Sequence, residues 1–217
     1  MKKLIIYGIN QQAQQLKYFI ENDQVGIIEA YTVDRVYKKI EFLDGLPVVC
    51  FEDILQLYNP YEYEIVLSFG YNKMMEVRKA KYELCKSKGY KIFTYVSKDA
   101  KIYSHSIGEG SIIYPNVVLS PNTKIGIGNF LEVSVTIAHN TIVGDFNFFA
   151  PNATVSGNTT IGNNCFFGLS SNVFNNLKIS DYTLVGAGAI INHNSKVGEA
   201  IKSVNSIVLQ NDSKNYL

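Results

Sequence analysis

The chain has 217 residues, of which 47% are hydrophobic and 18% are charged, so it holds enough apolar material for one or two folded domains and is not a disordered protein. Its 20 basic and 19 acidic residues give a net charge of +1 without a Lys/Arg cluster, which argues against nucleic acid as a partner. No apolar run is long enough to cross a membrane, and the run in the opening MKKLIIYGIN ends too early for a signal peptide.

Short β-rich runs alternate with helical patterns before residue 100. They follow one another in the order KLIIY, QQAQQLKYFIEN, VGIIEAYTV, LPVVCFEDILQLY, EIVLSF, NKMMEVRKAKYELCKSKG and KIFTYV. This order is typical of βαβ units. We therefore predict an α/β, Rossmann-like domain with a small parallel sheet over residues 1–98.

The longest helix of this domain is predicted from about Asn72 to Lys88, because Gly89 then provides a C-terminal cap. The residues along one side of that helix are predicted to face the core; they are Met74, Val77, Lys81 and Leu84.

Beyond residue 100 the helical patterns stop and a period of six residues begins. Sixteen consecutive sixth positions are apolar: Ile107, Ile113, Leu119, Ile125, Leu131, Ile137, Val143, Phe149, Val155, Ile161, Phe167, Val173, Ile179, Val185, Ile191 and Val197. The pairs Ile-Gly and Val-Gly recur at 107, 125, 143, 161 and 197, which superimposes a longer period of eighteen. Six residues a face and eighteen a coil describe a triangular parallel β-helix with the apolar residues stacked inside. We predict this β-helix, with a C-terminal tail, over residues 99–217.

The period also predicts which residues stack on one another, since residues eighteen apart lie about 4.8 Å apart along the axis of the β-helix. His139 should lie between Pro121 and Gly157 with its ring pointing outward. His193 is three coils away, roughly 14 Å, whereas Zn–N bonds are about 2.1 Å. A zinc-dependent hydratase of the γ-carbonic anhydrase kind is therefore not predicted, and no metal site is expected. A nucleotidyltransferase would need a Gly-rich triphosphate loop, which the sequence lacks.

The three cysteines, Cys50, Cys85 and Cys165, are odd in number and lack a CxxC spacing. Neither a disulfide framework nor a zinc site is expected from them, and they indicate a reducing cytoplasm.

The segment IAHNTIVGDFNFFAPNATVSGNTTIGNNCFFGLSSNVFNNLKISDYTLVGAGAIIN, residues 137–192, carries a family resemblance. It resembles the hexapeptide-repeat, left-handed β-helix sugar O- and N-acetyltransferases of the sialic acid O-acetyltransferase type, which include N-acetyltransferases of nucleotide-linked 4-amino sugars. The resemblance runs over nearly the whole chain. It implies an acetyl-CoA-dependent acetyltransferase that acts on an amine or hydroxyl of a nucleotide-linked sugar for surface glycan biosynthesis.

The resemblance implies specific roles for His139 and Gly157. In the family a histidine at the position of His139 is the general base, and an imidazole, with an ordinary pKa of about 6.5, suits proton transfer near neutral pH. The glycine at the position of Gly157 presents its backbone N–H to the thioester carbonyl in the family, where negative charge develops.

Two residues depart from the family pattern around the histidine. The residue after it is usually Asp or Glu but is Asn140 here, and a neutral amide stabilises an imidazolium less than a carboxylate does. The position of Glu132 usually carries Asn. Two interpretations of Glu132 are equally open: it replaces the missing acid, or it is simply solvated.

The N-terminal domain departs further from the family. After the first strand the family has a Gly-x-Gly-Gly-His loop that approaches the nucleotide, whereas this chain keeps Gly8 and then has Asn10, Gln11 and Gln12. Other family landmarks remain, namely Asp34 and Arg35 after the second strand and Gly70 in the string SFGYN. The resemblance assigns all of these to substrate binding. Asp34 is equally consistent with contact to a ribose or base and with a turn cap.

The resemblance also places acetyl-CoA in a groove between neighbouring subunits of a homotrimer. The matching positions are Phe148, Gly157, Leu169, Gly186 and Ala187, with Lys196 and Lys202 available to the phosphates. Apolar residues on the outer faces, such as Phe146, Phe148 and Phe166, are expected to be exposed on one chain and buried by the next.

The alternative function is a non-catalytic β-helix protein that binds sugars or serves as a scaffold, which Asn140 and the altered loop keep open. The sequence leaves undecided which sugar and nucleotide are used, whether the acceptor is an amine or a hydroxyl, and whether the acyl group is acetyl or larger.

Overall fold

The computed structural model describes residues 1–204, so the tail predicted at the C-terminus lies outside the described residues from 205 onward. The elements of the N-terminal part are β1 (Lys2–Tyr7), α1 (Gln11–Asn22), β2 (Gly26–Val33), β3 (Phe42–Leu43), β4 (Leu46–Cys50), α2 (Ile54–Leu57), β5 (Tyr63–Leu67), α3 (Glu76–Ser87) and β6 (Lys91–Ile92), with 3-10 turns at Arg35–Tyr37 and Phe51–Asp53. The strands form a six-stranded sheet in the order β3-β4-β2-β1-β5-β6, parallel except for the β3–β4 pair. The predicted βαβ organisation is confirmed. No helix among residues 1–204 combines the length and apolar composition needed to span a membrane.

Helix α3 starts later than predicted and buries a different side. Three consecutive residues, 73 to 75, have positive φ angles of 50°, 52° and 65°, so a right-handed helix cannot begin before Glu76. The buried residues of α3 are Arg78, Tyr82 and Cys85, whereas the predicted core residue Leu84 is 39% exposed. The predicted end is confirmed, since Gly89 follows α3 with a φ of 87°.

The rest of the described chain is a parallel β-helix with three flat faces, which we call A, B and C. Face A contains β7 (Tyr95–Val96), β10 (Ile112–Ile113), β13 (Phe130–Leu131), β16 (Phe148–Phe149), β19 (Phe166–Phe167), β22 (Leu184–Val185) and β24 (Ala200–Ile201). Face B contains β8 (Lys101–Ile102), β11 (Val118–Leu119), β14 (Thr136–Ile137), β17 (Thr154–Val155), β20 (Asn172–Val173) and β23 (Ile190–Ile191). Face C contains β9 (Ser106–Ile107), β12 (Lys124–Ile125), β15 (Ile142–Val143), β18 (Thr160–Ile161) and β21 (Lys178–Ile179).

The predicted period is confirmed, because paired residues such as Ile113 and Leu131 are eighteen apart and the apolar residue of each repeat is buried from Ile113 to Ile191. The ends differ from the prediction. Strand β7 belongs to the β-helix, so the first coil begins before the predicted boundary at residue 99. The last coil is two residues shorter, since Val185 pairs with Ile201, and Val197 therefore leaves the core and is 73% exposed.

Face A packs against the N-terminal domain through its outward side chains. Phe146 and Phe148 are each 4% exposed and contact Tyr82 and Tyr71, and Tyr71 also contacts the partly buried Phe166. The expectation that these phenylalanines are exposed on one chain was therefore wrong. The domain that covers them comes from the same chain.

Arg78 connects the two parts of the chain. Its fully buried guanidinium donates hydrogen bonds of 2.7–2.8 Å to the carbonyl oxygens of Leu67, Phe69, Gly110 and Gly128. The first two oxygens belong to the N-terminal domain and the other two to the β-helix. One side chain thus satisfies backbone acceptors on both sides of the junction.

The Ser171 hydroxyl is, within residues 1–204, the buried side-chain polar group without a hydrogen-bond partner. The residues one coil away on either side are the buried Ala153 and Ala189, so an alanine fits the column. Since a buried unsatisfied polar group costs about 1–3 kcal/mol, we expect Ser171→Ala to raise the free energy of unfolding by about 1 kcal/mol in urea titrations. The control is Ser111→Ala, which removes hydroxyl bonds to Gly126 and Asn129 and should destabilise the protein. A loss of stability in both variants would contradict this prediction.

Candidate active site

His139 lies at the corner between faces B and C, two residues after the inward-pointing Ile137. Backbone hydrogen bonds to the coils on both sides hold this corner, because the Asn140 N–H donates to Pro121 and the His139 carbonyl accepts from Asn158. Asn140 has a φ of 56°, a left-handed conformation that asparagine tolerates better than most residues. The His139 side chain is exposed, as the period predicted.

The ring of His139 lies directly on Gly157. A Cβ atom at residue 157 would sit 2.6 Å from Cε1 and 2.7 Å from Nε2 of the imidazole, so only glycine leaves room for the ring. The φ angle of Gly157 is not positive, so the backbone conformation does not require glycine at this position. The contact with the His139 ring does. Among residues 1–204, the Gly157 N–H donates no hydrogen bond, and the residue is buried beneath the ring.

Asn140 contacts the other ring nitrogen. Its side-chain Nδ2 lies 3.2 Å from Nδ1 of His139 and 3.0 Å from Oδ1 of Asn158. The amide therefore orients the ring, in the place where the family has a carboxylate.

Glu132 lies at a different corner from His139, between faces A and B, and its replacement of the missing acid stays a prediction. Its carboxylate accepts a hydrogen bond of 3.4 Å from Gln12 of α1, and no bond joins it to His139 among the described residues. The residue is half-buried, and this burial raises the pKa of Glu132 to about 7.

The raised pKa of Glu132 predicts a stability that depends on pH. Between about pH 4.5 and pH 7 the folded chain holds the proton more tightly than the unfolded chain does, so stability falls as pH rises through this window. Glu132→Gln removes the ionisable group. We expect the variant to be more stable than the parent by about 2 kcal/mol at pH 8 and equally stable at pH 4, as measured by urea unfolding. A difference that is independent of pH would contradict the buried carboxylate.

The N-terminal domain holds a cavity of about 470 Å³ at the carboxyl ends of β1 and β2. Its lining residues are Tyr7, Gly8, Ile9, Asn10, Val33, Asp34, Tyr37, Phe69, Val77 and Lys81. The Lys81 ammonium lies 2.6 Å and 2.7 Å from the two Asp34 oxygens and 3.0 Å from the Tyr7 hydroxyl, which donates to Asp34. Burial and Asp34 raise the pKa of Tyr7. The cavity thus combines apolar walls with an ion pair.

The cavity contains some of the residues predicted to bind substrate. Gly8 needs to be glycine, because its φ is 122° and a Cβ would meet the Ser68 hydroxyl at 2.1 Å. Asn10 lines the cavity but its side chain caps α1 by accepting from the Ala13 N–H. Asp34 is in the cavity wall, and it carries no side-chain cap bond to the following turn.

The other predicted substrate residues lie outside the cavity lining. Gln11 is exposed on the first turn of α1, and Gln12 points to Glu132. Gly70 faces the same junction, because a Cβ there would lie 3.0 Å from the Gln12 side chain. Arg35 pairs with Asp53 on the surface. Their roles in binding stay predictions.

The residues predicted to contact coenzyme divide between two corners. Leu169, Gly186 and Ala187 lie together at the A–B corner, where Leu169 is 50% exposed. Ala187 packs closely on Gly168, because a Cβ atom at residue 168 would lie 2.5 Å from the Ala187 nitrogen. Gly157 lies at the B–C corner with His139. Phe148 is covered by Tyr71, so it offers little surface to any ligand on this chain. Lys196 and Lys202 are exposed.

Lys81 and Tyr7 line the cavity but were not predicted from the sequence to bind substrate. Lys81 interrupts a stripe of otherwise apolar residues on the predicted helix, and a charged residue in that position is a signal for a polar partner. Within the described ranges, no three His, Cys, Asp or Glu side chains come close enough to hold a metal ion.

No protein-family model matches the sequence, and no curated protein matches it either. Solved structures do resemble it. The acetyltransferase domain of PglB from Neisseria gonorrhoeae, in complex with acetyl coenzyme A, is 20% identical and has a TM-score of 0.81, covering 94% of this chain and 99% of that one. WeeI from Acinetobacter baumannii is 21% identical with a TM-score of 0.81, covering 92% and 96%.

A third similar structure is a mutant of perosamine N-acetyltransferase from Caulobacter crescentus in complex with CoA and GDP-perosamine. It is 16% identical with a TM-score of 0.83 and covers 94% of this chain and 98% of that one. At these identities the similarity establishes the fold. The predicted α/β domain followed by a left-handed parallel β-helix is confirmed.

Proposed function

We propose that the chain is an acetyl-CoA-dependent acetyltransferase whose acceptor is an amine or hydroxyl of a nucleotide-linked sugar. The observation that carries the proposal is the contact between His139 and Gly157, which sets an exposed imidazole beside an unpaired backbone N–H. Two proteins of the same fold were solved with acetyl coenzyme A, or with CoA and GDP-perosamine, which supports both substrates.

The chemistry that this corner supports is acyl transfer. The acceptor nitrogen or oxygen attacks the thioester carbonyl carbon, a new C–N or C–O bond forms, and the C–S bond breaks to release the CoA thiol. His139 takes the proton that the acceptor loses. The Gly157 N–H donates to the carbonyl oxygen while negative charge develops there.

The N-terminal cavity suits the nucleotide of the acceptor. Its apolar walls fit a planar base, and the Asp34–Lys81 pair offers both acceptors and donors. The loop from Gly8 to Asn10 leads into the N-terminus of α1, whose N–H groups and dipole favour a phosphate. The sugar would then extend past Gln12 toward Glu132 at the A–B corner.

The separation of the two corners supports an active site between two copies of the chain. His139 and Gly157 lie at the B–C corner, whereas Glu132 and three coenzyme residues lie at the A–B corner and the nucleotide cavity lies in the domain that packs on face A. A homotrimer that sets the B–C corner of one copy against the A–B corner of the next would join these parts. Apolar side chains on the outer surface, such as Phe174 (52% exposed) and Ile190 (59% exposed), are available for that contact.

The oligomeric state is tested by light scattering. We expect a mass of about 73 kDa at micromolar concentration, three times the 24.3 kDa of one chain. A stable monomer would contradict the shared site.

The shared site is tested by mixing two inactive variants. In a trimer assembled at random from His139→Ala and Asp34→Ala chains, one site in four takes an intact cavity from one chain and an intact histidine from its neighbour. We expect about one quarter of the parent activity after co-refolding. Sites contained within a single chain would all carry a defect, so no recovered activity would overturn the arrangement.

The activity itself is tested by thiol release from acetyl-CoA with a panel of UDP-, dTDP-, GDP- and CMP-linked sugars, each as the amino and the hydroxy form. Turnover with one of them above the rate of thioester hydrolysis supports the proposal. Binding of a nucleotide sugar without thiol release would instead identify the alternative, a non-catalytic sugar-binding protein, which Asn140 in place of the family acid favours.

The proposal includes a role in surface glycan biosynthesis in the cytoplasm. The basis for a reducing compartment is the odd number of cysteines without a CxxC spacing.

A further inference from the structure

The B–C corner carries a series of side-chain amides beside His139. Asn122 donates from Nδ2 to Oδ1 of Asn140 at 3.1 Å, and Asn140 donates from Nδ2 to Oδ1 of Asn158 at 3.0 Å. We call these three residues the asparagine ladder. They are eighteen apart and have φ angles of 62°, 56° and 57°, so the left-handed corner that selects asparagine also stacks the amides one per coil.

The asparagine ladder has a direction. Each amide has one accepting oxygen and one donating nitrogen. If Asn140 alone turned over, its nitrogen would face the nitrogen of Asn122 and its oxygen would face the oxygen of Asn158, so both hydrogen bonds would be lost. The ring of His105 ends the ladder, with its Nε2 2.9 Å from Oδ1 of Asn122. Because that oxygen only accepts, His105 donates from Nε2, and all the bonds run the same way.

The amide nitrogen of Asn140 also faces the ring of His139. Nδ2 of Asn140 lies 3.2 Å from Nδ1 of the ring, while its Oδ1 is already engaged by Asn122. Nδ1 is therefore an acceptor, and the hydrogen of the neutral ring is on Nε2. Nε2 has no hydrogen-bond partner in the described part of the chain, so it is the nitrogen that a ligand meets.

We propose that the asparagine ladder sets the tautomer of His139 and that Asn122, Asn158 and His105 act as positioning residues for it. In the direction observed, the neutral ring carries its hydrogen on Nε2, so in the parent that nitrogen accepts a proton only in the fraction of molecules whose ladder has turned over. Nε2 becomes the basic nitrogen when the ladder turns over and Oδ1 of Asn140 accepts from Nδ1–H. The catalytic part of this inference rests on the proposed function of His139, whereas the tautomer does not.

A carboxylate in the ladder forces its direction, because a carboxylate only accepts. In Asn158→Asp the new carboxylate accepts the hydrogen bond that Nδ2 of Asn140 already donates to residue 158, so the ladder keeps the observed direction. Asn122→Asp draws the same nitrogen to the opposite side and turns Oδ1 toward His139. The two variants add the same charge one coil above and one coil below Asn140, so they form a matched pair.

The tautomer is read from long-range ¹H–¹⁵N spectra of the imidazole rings in uniformly labelled protein at a pH where the rings are neutral, with His139→Gln used to assign the signals. We expect hydrogen on Nε2 in the parent and in Asn158→Asp, and hydrogen on Nδ1 in Asn122→Asp. Hydrogen on Nδ1 in the parent, or one tautomer in both variants, would overturn the inference.

Turnover of the same pair tests the catalytic consequence. We expect kcat of Asn122→Asp to exceed that of Asn158→Asp by a factor of about 10 or more, since a positioned base is worth about 10²- to 10⁴-fold. Asn140→Asp should raise kcat above the parent, because its carboxylate accepts from Nδ1–H in every arrangement of the ladder. Opposite tautomers with equal turnover would leave the ladder assignment standing and would contradict His139 as the base.

Discussion

Arg78→Met is expected to lower the free energy of unfolding by about 3–5 kcal/mol, the largest effect on stability of any substitution considered for this protein. The variant leaves four buried carbonyl oxygens without their donor, two on each side of the junction between the domains. Burial lowers the pKa of the Arg78 guanidinium, which shows that burying this charge has a cost, and Arg78→Met removes that cost. The gain is smaller than the loss, because each unpaired buried carbonyl costs about 1–3 kcal/mol. Urea unfolding measures the loss.

The control is Arg78→Lys, which retains the positive charge but lacks the planar guanidinium group and its several N–H donors. An ammonium has three donors on a single atom and cannot reach four carbonyls spread over two domains, so this variant should also be destabilised, by about 2 kcal/mol. If Arg78→Met stays within 1 kcal/mol of the parent, Arg78 does not hold the junction together.

His139→Ala is expected to reduce kcat by about 10²- to 10⁴-fold while it leaves the affinity for acetyl-CoA nearly unchanged. The reason is that the ring is the titratable side chain beside the free N–H of Gly157 and serves proton transfer rather than coenzyme binding. Thiol release with the best acceptor found measures kcat, and calorimetry measures the affinity.

Two further substitutions serve as controls for His139→Ala. His193→Ala should retain activity, because the side-chain hydrogen bond of His193 within residues 1–204 is to Glu199, near the far end of the β-helix. Gly157→Ala should lose activity although His139 is intact, since the added Cβ would overlap the ring. If His139→Ala stays within a few-fold of the parent, His139 is not catalytic and is only an exposed corner residue.

The β-helix and the position of the candidate base could both be predicted from the sequence. Each coil contacts the next at a constant separation of eighteen residues, so the apolar period, the stacking of His139 on Gly157 and the outward direction of the ring all follow from counting along the chain. The βαβ order of the first domain was readable for a similar reason, because strands and helices alternate locally.

The contacts between the N-terminal domain and the β-helix could not be predicted, because these two units share no period. The outward phenylalanines of face A look the same in sequence whether a second copy or the N-terminal domain covers them, and Arg78 on the side of α3 that was not predicted to be core joins the two parts. The pairing of Lys81 with Asp34 and the burial of Glu132 against Gln12 also join residues far apart in the chain. The direction of the asparagine ladder depends on which atom of each amide faces its neighbour, and the residue type alone does not specify it. These features depend on the relative placement of two separately folded units and on side-chain orientation, which local propensity and periodicity do not encode.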